Sequence, residues 1–143
     1  METRKLWPWD YDIMIECWKR AGLHYKPDGR DSRDEVSRQM ADENHIGFFG
    51  IFDDSELVAT VVASHDTRKG WINRLAVVPQ YRRKGLGKRL VAECERWFEK
   101  QGLGIFCLQI EEPNPESKGL FESLDYERFE GIAYYTKRLD QKI

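Results

Sequence analysis

The chain has 143 residues, 41% hydrophobic and 34% charged, a length that predicts one compact domain, residues 1–143, rather than two. Five Trp, six Tyr and seven Phe exclude a disordered chain. Lys and Arg number 23 against 25 Asp and Glu, a formal charge of −2, so no protein-wide positive field exists to hold a nucleic-acid backbone, and no nucleic-acid partner is expected.

The first residues, Met1 to Pro8, lack the apolar run of a signal peptide, and no stretch of about 18 apolar residues could span a bilayer. A cytoplasmic location without a membrane partner is the expectation. Cys17, Cys94 and Cys107 are odd in number and far apart, which argues against a disulfide framework or a CxxC pair and predicts reduced core thiols. None of His24, His45 and His65 stands at ligand spacing from another His or from a Cys, so no protein-held metal is expected.

In chain order, Tyr11, Ile15, Trp18 and Leu23 recur at near-helical spacing, and a weaker helix runs from about Asp34 to Glu43 on Val36 and Met40. Between them, Tyr25 to Ser32 is rich in turn formers and charge and reads as a loop. Ile46 to Phe52 and Leu57 to Ala63, parted by Asp53-Asp54-Ser55-Glu56, predict a β-hairpin. After a turn at Asp66 to Gly70, where His65 and Asp66 read as turn residues ahead of bases, Trp71 to Val78 is a third strand stopped by Pro79. Leu86, Leu90, Val91, Cys94, Trp97 and Phe98 mark one face of a long helix that Gly102 ends. A buried strand follows at Ile105 to Ile110, then a short helix from Ser117 to Leu124, and Tyr126 to Phe129 and Ile132 to Leu139 are expected to close the sheet. The order β-α-α-β-β-β-α-β-α-β-β predicts an α/β (α+β) single domain with a mixed sheet flanked by helices.

Between the strand ending at Val78 and the helix beginning near Gly85, five basic side chains and two glycines fall within Arg82 to Arg89. The N–H groups of a helix start carry partial positive charge, glycines let an anion approach the backbone, and Arg and Lys neutralise it. Cations at a helix N-terminus otherwise oppose the dipole, so an anion is expected there. A P-loop is ruled out by Arg82 and Arg89, which stand where it needs Gly and Ser or Thr. Leu90 stands where a dinucleotide fingerprint needs Gly or Ala.

Arg82-Arg83-Lys84-Gly85-Leu86-Gly87 resembles the Arg/Gln-x-x-Gly-x-Gly/Ala signature of the GNAT superfamily of N-acetyltransferases, and it follows a Leu75-Ala76-Val77-Val78-Pro79 strand as that superfamily's coenzyme A site does. Asn114 and Phe121-Glu122-Ser123-Leu124-Asp125-Tyr126 are similar to the segment that follows there, so the resemblance spans residues 71 to 126. The Trp18 helix and the His65 to Trp71 approach are similar to a branch of small bacterial acetyltransferases of the YpeA type.

The resemblance implies a GNAT-like domain with a mostly antiparallel sheet that transfers acetyl from acetyl-CoA to a primary amine of an unidentified acceptor, without a metal. The strand Leu75, Ala76, Val77 parts from its neighbour and bonds the pantetheine arm; Arg82, Arg83, Lys84, Gly85, Leu86, Gly87 and Lys88 cradle the pyrophosphate; Asn114 and Phe121 border the cofactor. The Leu75 backbone N–H is the implied oxyanion donor. Phe121 replaces the Tyr that commonly protonates the leaving sulfur, and Trp71 and Gln109 stand where some members carry a Glu base. Tyr134 is therefore the candidate acid, with Tyr126 and Tyr135 as alternatives. Glu111, with Glu112 or an ordered water as alternatives, is the candidate base, although a solvated turn is the plainer reading beside Pro113. The missing Tyr and Glu also leave open a non-catalytic acyl-CoA-binding or regulatory module. A homodimer through a sheet edge stays open as well.

Overall fold

The computed structural model describes residues 1–143. The expected hairpin forms from β2 (Ile46–Asp53) and β3 (Glu56–His65). Its turn places Asp54 at φ 54°, a left-handed position that Asp tolerates better than most residues. Residues 57–63 of β3 are all buried, which explains an unbroken apolar run instead of an alternating one: helices cover both of its faces.

β1 (Glu2–Lys5) adds to β2, and β4 (Gly70–Val77) to β3, all antiparallel; β5 (Phe106–Leu108) joins β4 in parallel. The sheet order is β1-β2-β3-β4-β5. On one face lie α1 (Tyr11–Ala21) and α2 (Arg33–Ala41). Tyr11, Met14, Cys17 and Trp18 of α1 are buried at 3 and 4 spacing, and the Trp18 Nε1–H donates to the buried Thr60 Oγ1 at 3.0 Å. Gly22, at φ 78°, ends the helix. For α2, Ser32 Oγ accepts from the Glu35 N–H at 3.2 Å, while Asp34 and Glu35 in the first turn favour the dipole. The anchors Val36 and Met40 are buried as expected.

The other face is covered by α3 (Leu86–Lys100) and α4 (Pro115–Ser123). Leu90, Val91, Cys94 and Phe98 pack against Val61 and Ile72, with Phe121 of α4 joining that core. No helix is long and apolar enough to cross a membrane.

Three expectations are corrected. The strand expected at Ile105–Ile110 keeps only Phe106–Leu108, because its neighbour diverges. The helix expected at 117–124 starts at Pro115, since Asn114 caps it. The strands expected at Tyr126–Phe129 and Ile132–Leu139 do not form: residues 127–143 hold no strand and are all exposed. Strand-prone sequence needs a ladder partner, and within the single chain that segment finds none.

Candidate functional site

β4 and β5 pair at Gly70↔Phe106, Trp71↔Cys107 and Ile72↔Leu108, and then part. From Asn73 onward, the β4 edge that faces β5 has no strand partner, so its N–H and C=O groups need a side chain, water or a ligand. On its other edge β4 carries a bulge. Thr60 pairs with Ala76 and Val62 with Asn73, leaving one extra residue on β4, and Arg74 takes φ 55°, uncommon for a non-glycine residue. The bulge switches the alternation: Ile72, Leu75 and Val77 all belong to the α3 side of the sheet, Ala76 to the α1 side.

The bulge is braced from the α1 side. The Arg74 guanidinium lies 5.2 Å from the centre of the Trp18 ring, pairs with Asp31 and donates to the His24 carbonyl. Burial pulls the Arg74 pKa below its ordinary value, and Asp31 opposes that without overcoming it. Asp31, 5% exposed, also accepts from the Lys26 N–H at 2.7 Å, and its carbonyl accepts from the Tyr11 hydroxyl at 2.6 Å. A buried carboxylate thus folds the charged loop 25–32 onto the bulge.

Two connected clefts result. The larger, about 1000 Å³, runs from the end of α1 (Ala21, Gly22, Leu23) past Leu75, Ala76 and Val77 to the turn before α3, with α4 opposite. The smaller, about 240 Å³, is lined by Arg74, Gln109, Ile110, Glu111 and Phe121 among others, and shares Leu23, Leu75, Asn114 and Ser117 with the first.

The turn joins left-handed backbone to an uncapped helix start. The Tyr81 hydroxyl donates to Asp53 Oδ2 at 2.6 Å, which holds the turn to the hairpin and, as the main cause, pushes the Tyr81 pKa up to about 12. Arg83 (φ 62°) and Gly85 (φ 79°) are both left-handed, the sort of backbone that gathers N–H groups into an anion-binding concavity. Helix α3 has no side-chain cap and no acidic residue in its first turn. Its first N–H groups have no partner within the helix. A Cβ on Gly87 would sit 3.1 Å from Leu120 Cδ2, so α4 closes tightly on this helix start.

The five cations divide into two groups. Arg82 is turned inward: Nε donates to the Val77 carbonyl at 2.9 Å and Nη2 to the Ala21 carbonyl at 3.0 Å. Arg89 donates to the Met1 carbonyl at 2.9 Å and to Thr3 Oγ1 at 2.8 Å. Arg83, Lys84 and Lys88 make no ion pair or side-chain hydrogen bond, and the Lys84 ammonium lies 5.3 Å from the centre of the Tyr81 ring. Ten of the twelve residues expected at the cofactor line the larger cleft; Lys84 and Phe121 do not. Phe121 is buried beneath the smaller cleft. Asn114 Oδ1 accepts from the Ser117 N–H at 3.2 Å, leaving its amide N–H groups for a ligand.

The catalytic candidates scatter. Glu111 lines the smaller cleft. Tyr134, 72% exposed, lines neither cleft, nor does Tyr135. The Tyr126 hydroxyl donates to Glu95 Oε2 at 2.7 Å on the flank of α3; burial, then that carboxylate, push its pKa far up. Glu112 pairs with Lys118 and Arg128. His65 and Asp66 organise their turn: His65 Nδ1 accepts from the Thr67 N–H, and Asp66 Oδ1 from those of Arg68 and Lys69. Those backbone donors hold the Asp66 carboxyl below its ordinary pKa. The sequence reading missed Ser117 and the Gly22–Leu23 helix end, which line the larger cleft; Gly22, a left-handed helix stop, was the available signal.

A model of the acetyltransferase (GNAT) family matches residues 5–126. An acetyltransferase of Pectobacterium atrosepticum is 24% identical over 142 residues, 99% of each chain. One from Photorhabdus laumondii is 27% identical over 140 residues, 97% of this chain and 96% of that one. Among solved structures, the aminoglycoside acetyltransferase AAC(6')-Iy, in complex with the bisubstrate analogue CoA-S-monomethyl-acetylneamine, superposes with a TM-score of 0.80 at 18% identity, over 96% of this chain and 97% of that one.

Proposed function

This chain belongs to the acetyltransferase (GNAT) family, and we propose that it takes acetyl-CoA as its cosubstrate, as solved neighbours in complex with CoA suggest, and delivers the acetyl group to a primary amine entering by the smaller cleft. The observation that carries this reading is the continuity of the site: a cationic helix start, an unpaired β4 edge and a second opening meet at Leu75 and Ser117.

Acetyl-CoA supplies an acetyl thioester on a long amide-bearing arm that ends in a diphosphate. The turn answers the diphosphate with the N–H groups at the start of α3 and the cations Arg83 and Lys88, which line the larger cleft. Arg82 serves the same turn from behind, tying Val77 to the end of α1 and so holding β4 away from β5. The edge at Leu75 and Val77, left without a strand partner by the divergence, bonds the arm's amides, with Ala76 between them held to Thr60 of β3 and the Asn114 amide on the opposite wall. The Leu75 N–H polarises the thioester carbonyl, and one such donor is worth about 3 kcal/mol of barrier.

Glu111, the carboxylate lining the smaller cleft, takes the proton of the incoming ammonium directly or through water. Phe121 has no proton to give the departing sulfur. The Ser117 hydroxyl, at the junction of both clefts, donates a hydrogen bond to the departing thiolate, which takes its proton from the newly acylated nitrogen. A cleft of about 240 Å³ admits the amine-bearing end of an acceptor, with the remainder lying outside. The solved neighbour's complex with an acetylneamine conjugate makes amino sugars a sensible first group to screen.

Calorimetry with acetyl-CoA, followed by an amine screen read by thiol release, tests the reading. Binding together with turnover of at least one primary amine is expected. No binding at hundreds of micromolar acetyl-CoA would refute the donor site, and binding without turnover across amino sugars, polyamines and peptide N-termini would refute the transfer.

A further inference from the structure

We propose that Arg74 is a positioning residue for acyl transfer. Its guanidinium, held by Asp31, the His24 carbonyl and the face of Trp18, fixes the peptide whose N–H belongs to Leu75 and ties its aim to the wall of the acceptor cleft; this rests on the oxyanion role proposed above for that N–H. Five residues other than glycine take a positive φ: Asp54, Thr67, Arg74, Arg83 and Asp125. Four of them lie in turns or bends, and Arg74 alone lies inside a strand. Glycine would adopt φ 55° at that place without strain, and asparagine at little cost. An arginine also brings a charge that must leave water, its side chain being 18% exposed. Two costs fall on one residue, and that residue shares its peptide bond with Leu75. Backbone strain and buried charge of this kind collect where a geometry has to be enforced.

The tether closes on itself. One arm of the guanidinium fork, Nη2, pairs with Asp31 Oδ2 at 2.5 Å, and the other, Nη1, donates to the His24 carbonyl. The Trp18 ring beneath the guanidinium is itself pinned, its Nε1–H donating to Thr60 Oγ1 at 3.0 Å, and Thr60 is the β3 residue opposite Ala76. The chain is therefore gripped on both sides of Leu75, at 74 through the side chain and at 76 through the strand pairing. Asp31 is anchored in turn by the Lys26 N–H and, through its carbonyl, by the Tyr11 hydroxyl. Only a planar fork reaches a carboxylate, a carbonyl and a ring face together; an ammonium is a point charge.

Both oxygens that Arg74 meets come from residues 24–31, and Leu23, immediately before them, lines both clefts. Arg74 also borders the smaller cleft. The wall that receives the acceptor and the N–H that polarises the thioester carbonyl thus share one guanidinium, so loosening the loop turns the Leu75 N–H away from the carbonyl even though no group touching the cofactor has changed.

Infrared difference spectra of acetyl-CoA, isotopically labelled at the acetyl carbonyl and bound to the full chain, read that polarisation directly and need no acceptor. In the wild type the carbonyl band is expected below its position in free acetyl-CoA. In Asp31→Asn it returns toward the free position, while the calorimetric Kd for acetyl-CoA stays within about twofold. Arg74→Lys keeps a charge for Asp31 without the fork and gives an intermediate band. An orphaned buried charge can unfold the chain, so the uncharged double variant Arg74→Gln, Asp31→Asn serves as the second test, with the same return of the band. With the amine that the thiol-release screen turns over fastest, kcat in these variants falls about tenfold at nearly constant KM for acetyl-CoA, part of the roughly hundredfold that deleting an oxyanion donor costs. A role in stability alone would lower Tm and leave the band of the folded protein in place. A band that stays shifted in Asp31→Asn and in the double variant, or a kcat that does not fall, overturns the positioning role and spares the donor site. A wild type that does not bind acetyl-CoA, or binds it without shifting the band, removes the Leu75 donor and the role of Arg74 with it.

Discussion

The division of the basic turn into cations that face the cleft and cations that brace the fold gives contrasting effects for two neighbouring arginines. Arg83 makes no contact with protein oxygen, whereas Arg89 is bound to the Met1 carbonyl and Thr3 Oγ1. Two unit charges 4 Å apart in a water-like medium interact by about 1 kcal/mol. Reversing Arg83 replaces one attraction to a diphosphate with a repulsion, and a Debye length of about 8 Å at physiological salt leaves about 60% of the sum of about 2 kcal/mol. The net is about 1.2 kcal/mol, or a roughly eightfold weaker Kd for Arg83→Glu, with Arg83→Gln at about threefold. Calorimetric titration with acetyl-CoA at low and at high salt measures both values, and the Arg83→Glu penalty should shrink as salt rises. Arg89→Gln should leave Kd within about twofold and lower Tm by about 2–4 °C through lost bonds to the N-terminal strand. If Arg89→Gln weakens binding as much as Arg83→Glu, or if the Arg83→Glu loss is the same at both salts, the assignment of cations to cleft and to fold is wrong.

Ser117→Ala should lower kcat by about tenfold or more with KM for acetyl-CoA little changed, and an unchanged kcat in steady-state kinetics removes Ser117 from the chemistry. Burial pushes the Asp10 carboxyl up, but the Arg4 guanidinium and the Trp7 N–H outweigh it and hold its pKa below the ordinary 3.8. The pair's stabilisation is therefore complete above about pH 4 and drains away as pH falls through the depressed folded value. Urea melts should show Asp10→Asn about 2 kcal/mol less stable at neutral pH and the gap to wild type narrowing in strong acid; a constant gap contradicts this. Burial raises the Cys17 thiol to about 11 and the Cys94 thiol further, while Cys107 is only half-buried. A chromogenic disulfide at mild alkaline pH should accordingly titrate one thiol in the native protein and three in urea.

Local chemistry was readable wherever it is decided locally. The 3 and 4 spacing from Leu86 to Phe98 fixes α3 because those residues share one face of a helix. The Asp53 to Glu56 cluster fixes the hairpin because few residues tolerate the turn's left-handed position. Long-range pairings were not readable. The loop 25–32 looks solvated by composition, yet Asp31 is buried by its bonds to Arg74 and Lys26, residues that only the fold brings together. The charge count of the turn was legible and its division was not, because the carbonyls that Arg82 and Arg89 meet lie at Ala21 and Met1. The shortened β5 and the unformed C-terminal strands share one cause. Strand propensity states a need for a ladder, and sequence does not state whether the ladder lies in the same chain.

The sheet's imperfections act together at one place. A regular β4 would keep Ile72, Arg74 and Ala76 on one face, and a fully paired β4–β5 would spend the backbone groups of Leu75 and Val77 on a neighbour. The bulge hands Leu75 to the α3 side and sends Arg74 to Asp31, while the divergence after Ile72 leaves the edge unpaired. Each departure forfeits ladder hydrogen bonds, at about 1 kcal/mol net apiece, and neither is needed to cover the core, which already spans both faces of β3. What they gain is a row of backbone donors and acceptors aligned with a cationic helix start. Arg82 spans the gap from Val77 to Ala21, so the opening is held by a strut. Removing that strut with Arg82→Ala should therefore raise Kd for acetyl-CoA more than the loss of one phosphate contact allows, by well over the threefold expected of a single neutralised surface cation. A loss no larger than that of Arg83→Gln would show Arg82 to be one more charge.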